Sequence, residues 1–431
     1  MKARPSDTND GSPDVLHINI SDGGGGVGRA AYRLHTGLLR MGVRSRMWVD
    51  HKTSEDPTVW GPDSLLSRLY IRLRSRIDKW PAYLCRHSHW NYSSFNFLPN
   101  PRMHQIWKDI RPKLVHLHWF GDGMLPIQYF RHIHCPVVAT LHGRWLFNGA
   151  QHLHSDQSSR FVEGFLPDNR DPMDGGWDVD RWVWQRKCDA MDKVKWNIVT
   201  LSRWMERDAR RSRILGGHPI VRIPNGVDTE VFHPLDPAEA RNRLGLEQDK
   251  RYILFGANFA VQDRNKGFGD FVEAMRILER DSNAGVEVVV FGSNHPGGEL
   301  PYKTPTHFLG FVKDEARMAC VYSAADVFVL PSHQDNLPNT VMESLSCGTP
   351  CVAYDVGGVS DMIEHHANGR LVPARDSAAL AGEIRAVLSL EPLDRESLRE
   401  AARQTVMKEF TRELQCERMK TLYDGIKTAG S

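Results

Sequence analysis

The sequence is short of several things, and each shortage excludes a class of protein. No apolar run approaches the ~18 residues that a membrane span needs. The first residues, MKARPSDTNDGSPD, are polar and lack the apolar core of a secretory leader. The 7 cysteines are odd in number, scattered and without a Cys-x-x-Cys pair, so they read as reduced thiols in a cytosol and imply no disulfide framework. Nor is there an excess of one charge: the formal net charge of +2 is too small to suggest nucleic-acid binding, so any basic surface must be local. The expectation is a cytoplasmic chain that can still lie against a membrane.

What is present is ordinary globular material in quantity. With 431 residues, 41% hydrophobic and 25% charged, the chain is long enough for two cores, since a single core stops growing at about 250–300 residues. One stretch organises the rest: VFVLPSHQDNLPNTVMESLSCGTPCVAYDVGG, from Val327 to Gly358. Val327–Leu330 reads as an interior strand, Pro338 suits a first helical turn, Gly348 and Pro350 stop the helix, and Cys351–Tyr354 reads as the next strand. Strand, helix and strand this close together make a βαβ unit with parallel strands. Asp335 precedes the helix and Glu343 lies about two turns into it, so both carboxylates can face one side of a helix end that attracts phosphate. Hydroxyl-accepting acids beside such an end suit a ligand rich in hydroxyls and phosphates, such as a nucleotide-sugar. Equally, Asp335 reads as a helix cap and Glu343 as a solvated surface acid.

The acid, seven residues, acid spacing from Asp335 to Glu343, followed by SCGTPCVAYDVGG, resembles the signature of glycosyltransferase family 4, retaining enzymes of the GT-B fold. Asp335 departs from the pattern, because the family usually has glutamate there, and a carboxylate one carbon shorter alters the reach to a sugar. The resemblance implies an α/β fold of two Rossmann-like doubly wound domains facing a cleft. It also implies an acceptor-side domain over residues 1–226, a nucleotide-sugar-binding domain over 227–405, and a C-terminal helix over 406–431 that returns to the first domain.

In the first half, VLHINI from Val15 is a strand that runs into SDGGGGVGRAAYRLH. The glycines let backbone approach a ligand and offer N–H groups at a helix start. A dinucleotide site would want an acid some 20 residues on, and Asp50 serves on spacing. The family resemblance instead sets Gly25 and Gly26 against a donor diphosphate or the acceptor. Further on, SLLSRLYIRLRSRIDKW places Leu66, Leu69, Leu73 and Ile77 on one helical face among Arg68, Arg72, Arg74, Arg76 and Lys79. That pattern suits a helix covering the domain, or one resting in the headgroup layer of an anionic membrane and helping to reach a lipid-linked acceptor. His116 and His118, on one side of the strand KLVHLHWF, could bind a metal, but no third ligand follows at a recognisable spacing, so core or cleft-edge histidines are expected. The strand PVVATL ends in His142, matching the histidine that family 4 enzymes commonly carry near the transferred sugar. Between Gln151 and Trp184 the chain is polar, with QHLHSD where relatives have a cysteine cluster, and Trp177, Trp182 and Trp184 suit sugar stacking or pinning of the loop. A strand NIVTLS and a helix from Trp204 to about Ile214 close the domain.

Pro224, Asn225 and Gly226 form a turn signal, and TEVFHPLDPAEA has the composition of a linker. The runs RYILFGA, VEVVVFG, HFLGFV, VFVLPS and PCVAYD then alternate with helical patterns, as a parallel doubly wound sheet requires. Lys266 stands before a helix beginning near Phe268; the resemblance makes it the lysine of the basic pair that neutralises the donor diphosphate, with Arg264 as partner. The same resemblance assigns Asp335 and His142 to the sugar, Asn336 and Leu337 to the donor-binding corner and Glu343 to the ribose hydroxyls. No Asp-x-Asp pair sits at a strand end of the second half, which agrees with a reaction that needs no metal or other cofactor. The implied activity is retaining hexosyl transfer from a GDP- or UDP-linked sugar to a saccharide acceptor, lipid-linked, in bacterial polysaccharide assembly. A sugar-nucleotide epimerase and a nucleotide-sugar binding protein without turnover stand as the other readings.

Overall fold

The computed structural model describes residues 12–86, 93–152, 158–192, 194–280 and 285–428. Two compact units divide the chain: Met1–Ile223 with Cys416–Ser431, and Pro224–Gln415. The turn read from the sequence at Pro224 to Gly226 stands at the start of the second unit. The segment beyond this turn is ordered and not a loose linker: Val227 bridges to Thr411, Phe232 is fully buried, and Asp236 caps the helix Pro237–Leu244 by accepting from Glu239 N at 2.9 Å.

The strands of the first unit are β1 (Val15–Ser21), β2 (Ser45–His51), β3 (Val59–Trp60), β4 (Cys85–Arg86), β5 (Val115–Leu117), β6 (Val137–Leu141), β7 (Gly175–Gly176), β8 (Trp196–Thr200) and β9 (Ile220–Arg222). Seven of them form one parallel sheet in the order β3-β2-β1-β5-β6-β8-β9, while β4 and β7 pair antiparallel to each other. Parallel strands are covered on both faces and so read as continuous apolar runs, as VVATL in β6 does. On one face Leu34 and Leu38 of helix α1 (Gly25–Arg40) pack with Cys416, Met419 and Tyr423 of the closing helix Arg412–Thr428 against Val15, Val138 and Val199. The opposite face carries a larger core that includes Leu16, Ile18, Phe130, Phe147, Trp184 and Trp196.

The second unit carries β10 (Arg251–Gly256), β11 (Val286–Phe291), β12 (Thr306–Phe308), β13 (Val327–Leu330), β14 (Cys351–Tyr354) and β15 (Gly369–Val372). They form a parallel sheet in the order β12-β11-β10-β13-β14-β15. Phe255, Phe271, Met275, Val329, Val352 and Ile384 lie in the core on one of its faces. Each unit is therefore the parallel, doubly wound α/β sheet that the alternation of strands and helices requires. In each sheet the chain winds outward from its first strand and then returns to wind the other way, so the order reverses between β1 and β5 and between β10 and β13. Crevices at the carboxyl ends of strands flanking such a reversal are where open sheets take ligands.

Helix α2 (Leu65–Asp78) is the basic amphipathic segment, capped by Ser64, whose hydroxyl accepts from Ser67 N at 3.2 Å. Its orientation is opposite to that of a covering helix. Leu66, Leu69 and Leu73 are 79%, 62% and 55% exposed, and the buried residues are Ile71, Arg74 and Asp78. The polar face turns inward onto partners: Arg74 pairs with Asp50, and Asp78 accepts from Phe95 N at 3.0 Å and Phe97 N at 3.3 Å. Asp50 is thus a buried partner of α2, which removes the ribose role that spacing allowed it.

The tryptophan-bearing segment is less irregular than its composition suggests, because a helix spans Val179–Met191. Trp184 is buried in the core and cannot stack on a sugar, and Trp182 lies 4.9 Å from Trp177 and 5.8 Å from Phe97, ring to ring. Of QHLHSD, Leu153 to Asp156 lie outside the described residues. The helix placed from Trp204 to about Ile214 runs from Arg203 to Arg211.

Candidate active site

In the second unit the loop after β10 closes in one tight turn, Arg264–Lys266, with the Asp263 carboxylate accepting from Asn265 N at 2.9 Å. Gly267, at φ +70°, then admits the chain to the helix Phe268–Glu279. Across the reversal, Asp335 stands in the loop after β13. Lys266 Nζ donates to Asp335 Oδ2 at 2.9 Å, with the two side chains 23% and 17% exposed. Their loops are stitched together by Asn265 Nδ2 to Gln334 O and by His333 N to Asn265 O, each at 2.8 Å. His333 also meets Asp270 Oδ2 at 2.6 Å. The loop after β14 grips the same corner: Gly358 N donates to Asp335 O at 3.1 Å, and a Cβ on Gly357 would stand 1.7 Å from that oxygen. A half-open ion pair of this kind contributes only about 0–1 kcal/mol to stability. Its chemical value is that a cation and a hydroxyl-accepting carboxylate are held ready, side by side, at the ligand end of the sheet.

The helix after this corner spans Asn339–Ser346 and starts on Pro338, with no side-chain cap. Asp335 therefore does not cap it. Glu343 is its fifth residue, nearer one turn in than two, and it is 1% exposed, with Oε2 accepting from the buried Tyr322 hydroxyl at 3.1 Å. The solvated surface acid is excluded. Asn336 and Leu337 are buried, and Arg264 is exposed in the same turn as Lys266.

In the first unit the glycine turn follows β1. Ser21 Oγ accepts from Gly23 N at 3.2 Å and Gly24 N at 2.9 Å, and a Cβ on Gly28 would come within 3.0 Å of Ser21 O. Gly25, at φ +72°, opens α1 with Gly26 in its first turn. Asp22, not singled out from the sequence, ties the turn to the loop after β2, accepting from Thr53 N and Oγ1 at 2.7 and 2.8 Å and from Ser54 N and Oγ at 2.9 and 2.6 Å.

His142 directly follows β6 and is partly exposed, with Nε2 3.3 Å from His118 Nδ1. Behind it, His118 Nε2 lies 2.9 Å from His17 Nδ1. His116 bonds Tyr423 and Thr140 at 2.6 and 2.7 Å. Burial pushes His116 and His142 down to about 3, so these rings are neutral at ordinary pH. His116 and His118 do have a third neighbour, His17, supplied by β1 and not by the strand they share. The chain beyond His142 is held by Lys187 and Asp180. Fully buried Lys187 donates to the carbonyls of Trp145, Asn148 and Gly149, and Asp180 accepts from Ala150 N at 2.6 Å.

Residues 24–231 match a family model described as Glycosyltransferase Family 4, and residues 250–389 match one described as Glycosyl transferases group 1. The chain belongs to the family 4 glycosyltransferases. A D-inositol 3-phosphate glycosyltransferase of Segniliparus rotundus is 25% identical to this glycosyltransferase over 403 residues, covering 88% of this chain and 81% of the relative. The corresponding enzyme of Xylanimonas cellulosilytica is 33% identical over 184 residues, 39% of this chain and 42% of that one. Sucrose-phosphate synthase from Thermosynechococcus elongatus superimposes with a TM-score of 0.68 at 19% identity, over 96% of this chain and 99% of that one. WaaG, a glycosyltransferase involved in lipopolysaccharide biosynthesis, does so with 0.63 at 14% identity, over 96% and 99%. The fold of the glycosyltransferase is GT-B.

The grip on Asp335 is testable through Gly357. Gly357→Ala combines φ +59° with a backbone collision, and the enzyme is expected to lose about 1–3 kcal/mol in chemical denaturation. Gly269→Ala, whose Cβ meets nothing within 4 Å inside a helix, is the control and is expected to gain up to about 1 kcal/mol. Equal stability of the two variants would show that Gly357 is not a constraint.

Proposed function

We propose that this glycosyltransferase moves a hexose from a UDP- or GDP-linked donor to a hydroxyl of a saccharide acceptor, with retention at the anomeric carbon and without a metal. The observation that carries the reading is the Lys266–Asp335 pair at the reversal between β10 and β13. As the sugar C1–O bond to the diphosphate breaks, positive charge grows on the ring and negative charge on the leaving oxygen. Lys266 turns from Asp335 to the diphosphate, assisted by Arg264 and the first turn of the helix Asn339–Ser346. Asp335 accepts from sugar hydroxyls, and Glu343 from the ribose. Asn336 and Leu337 close the donor-binding corner around them.

In the first unit Gly25 and Gly26 offer backbone N–H groups to the diphosphate or the acceptor, and His142 bonds the sugar. The acceptor oxygen forms its bond to C1 on the face the phosphate leaves, and the departing phosphate oxygen takes the acceptor proton. Two groups of three metal-ligating side chains occur among the described residues, His17 with His116 and His118, and His365 with His366 and Glu383; neither includes Asp335 or Glu343. Solved structures of Anabaena HepE with UDP and with UDP-glucose, at TM-scores of 0.61 and 0.60, support a uridine donor.

The acceptor is a lipid-linked saccharide of a bacterial polysaccharide, and helix α2 is the surface that reaches it. Leu65, Leu66, Leu69, Leu73 and Ile77 stand out from the unit, followed by exposed Trp80, Tyr83 and Leu84. Arg68, Arg72, Arg76 and Lys79 flank them. An apolar stripe rimmed by cations complements an anionic headgroup layer. No helix among the described residues is long and apolar enough to cross a membrane.

Two experiments test this. In a transfer assay, Lys266→Ala and Glu343→Ala are each expected to lower turnover at least about a hundredfold, as loss of one preorganised electrostatic partner does, while EDTA leaves the wild-type rate unchanged. Wild-type kinetics in Glu343→Ala, or a rate abolished by EDTA and restored by a divalent cation, would overturn the assignment. With phosphatidylglycerol vesicles, the full chain is expected to sediment, and the triple charge reversal Arg68→Glu, Arg72→Glu, Arg76→Glu to stay in solution. Unchanged sedimentation would remove the membrane role.

A further inference from the structure

The chain of rings behind His142 carries a further step. We infer that His17 and His118 are positioning residues that fix the proton of His142 on Nδ1, so that His142 meets its ligand as a neutral hydrogen-bond donor and not as a base. Only in taking that ligand to be the transferred sugar does this rest on the proposed reading.

Proton accounting decides the direction. Two nitrogen-to-nitrogen contacts, His17 Nδ1 to His118 Nε2 at 2.9 Å and His118 Nδ1 to His142 Nε2 at 3.3 Å, each need one proton, and a neutral imidazole carries one. Only two directions satisfy both. Running outward, His17 donates to His118 and His118 donates to His142, which leaves His17 Nε2 as a bare lone pair. Running inward, every ring is protonated on Nε2 and His17 keeps an N–H at that position. His17 is fully buried, and its Nε2 has no partner. A buried N–H without an acceptor is the rarer and costlier orphan, so the outward direction is selected. His142 then accepts at Nε2, and its proton sits on Nδ1, the one nitrogen of that ring left for a ligand. Burial holds His17 and His118 well below the ordinary imidazole value, so a charged ring donating both ways does not compete.

A metal on His17, His116 and His118 is the rival, since their ligand atoms lie within 4.8 Å of one another. It fits poorly. His116 already bonds a hydroxyl at each nitrogen, and His118 bonds a ring at each, which leaves His17 Nε2 as the single nitrogen not engaged.

The test is a long-range ¹H–¹⁵N spectrum of the full chain labelled at histidine, with the signals assigned through His142→Gln and His17→Gln. Protonation on Nδ1 at His17, His118 and His142 is expected; an Nε2-protonated or mixed His142 overturns the inference. So does one equivalent of zinc in the purified protein that is lost with His17→Gln.

In a second arm, His118→Asn keeps an N–H where Nδ1 stood. It is expected to preserve the His142 tautomer, whereas His118→Leu releases it and lowers kcat about tenfold, the scale on which ligand-orienting partners act. If the spectrum shows the expected tautomers and His118→Leu keeps full kcat, the relay stands and the contact of His142 with the sugar falls.

Discussion

Backbone pressed against backbone at Asp335 is the constraint on which the second unit's site depends. Gly267 lies so close to Pro331 that a Cβ would stand 1.9 Å from its carbonyl oxygen, and Gly357 stands in the same relation to Asp335. Three loops from the adjacent strands β10, β13 and β14 are thereby held together at backbone contact distance. The Lys266–Asp335 bond follows from that closeness, because each end of the pair projects from a loop that its neighbours prevent from moving. A site of this kind is rigid without stored ion-pair energy, which suits charges that must exchange partners when a ligand arrives.

The first unit solves the same problem with different material. Its reversal lies between β1 and β5, and it is crossed by a pair of imidazoles in place of a lysine and a carboxylate. The glycine turn is tied down by Asp22, and the loop beyond His142 by Lys187 and Asp180. Groups that would be expensive to bury are acceptable there because Asp22, Asp180 and Lys187 are spent on backbone, hydroxyl and amide partners.

These differences mark how far the letters alone could be read. β13 and β14 occur where their apolar runs predict, because a strand covered on both faces leaves an unbroken signature bounded by turns. Lys266 and Asp335 were legible through their positions before and after predicted elements, and the family pattern singled them out. His17 was not, since its partner stands 101 residues away and a lone histidine in VLHINI announces nothing about the neighbouring strand. Lys187 escaped for the same reason: a lysine in WQRKCD looks solvated until three carbonyls from a distant loop surround it. Helix α2 shows a subtler limit. Its pattern declares two faces, but Asp50 on β2 and the amides of Phe95 and Phe97, all distant in sequence, decide which of them turns inward.

The imidazoles of the first unit also make it vulnerable in one direction. His116, His142 and His152 are held at about 3 and His35 at about 4 by burial, against 6.5 for a free ring, and burial holds His17 and His118 well below the free-ring value too. As acidity rises past the free-ring value, an unfolded chain takes up protons that these six folded rings refuse, so stability drains between about pH 6.5 and 3. The second unit holds no comparable cluster among its described residues. Mild acid should therefore melt the lobe with the glycine turn first, leaving the Lys266–Asp335 corner intact on a half-denatured molecule.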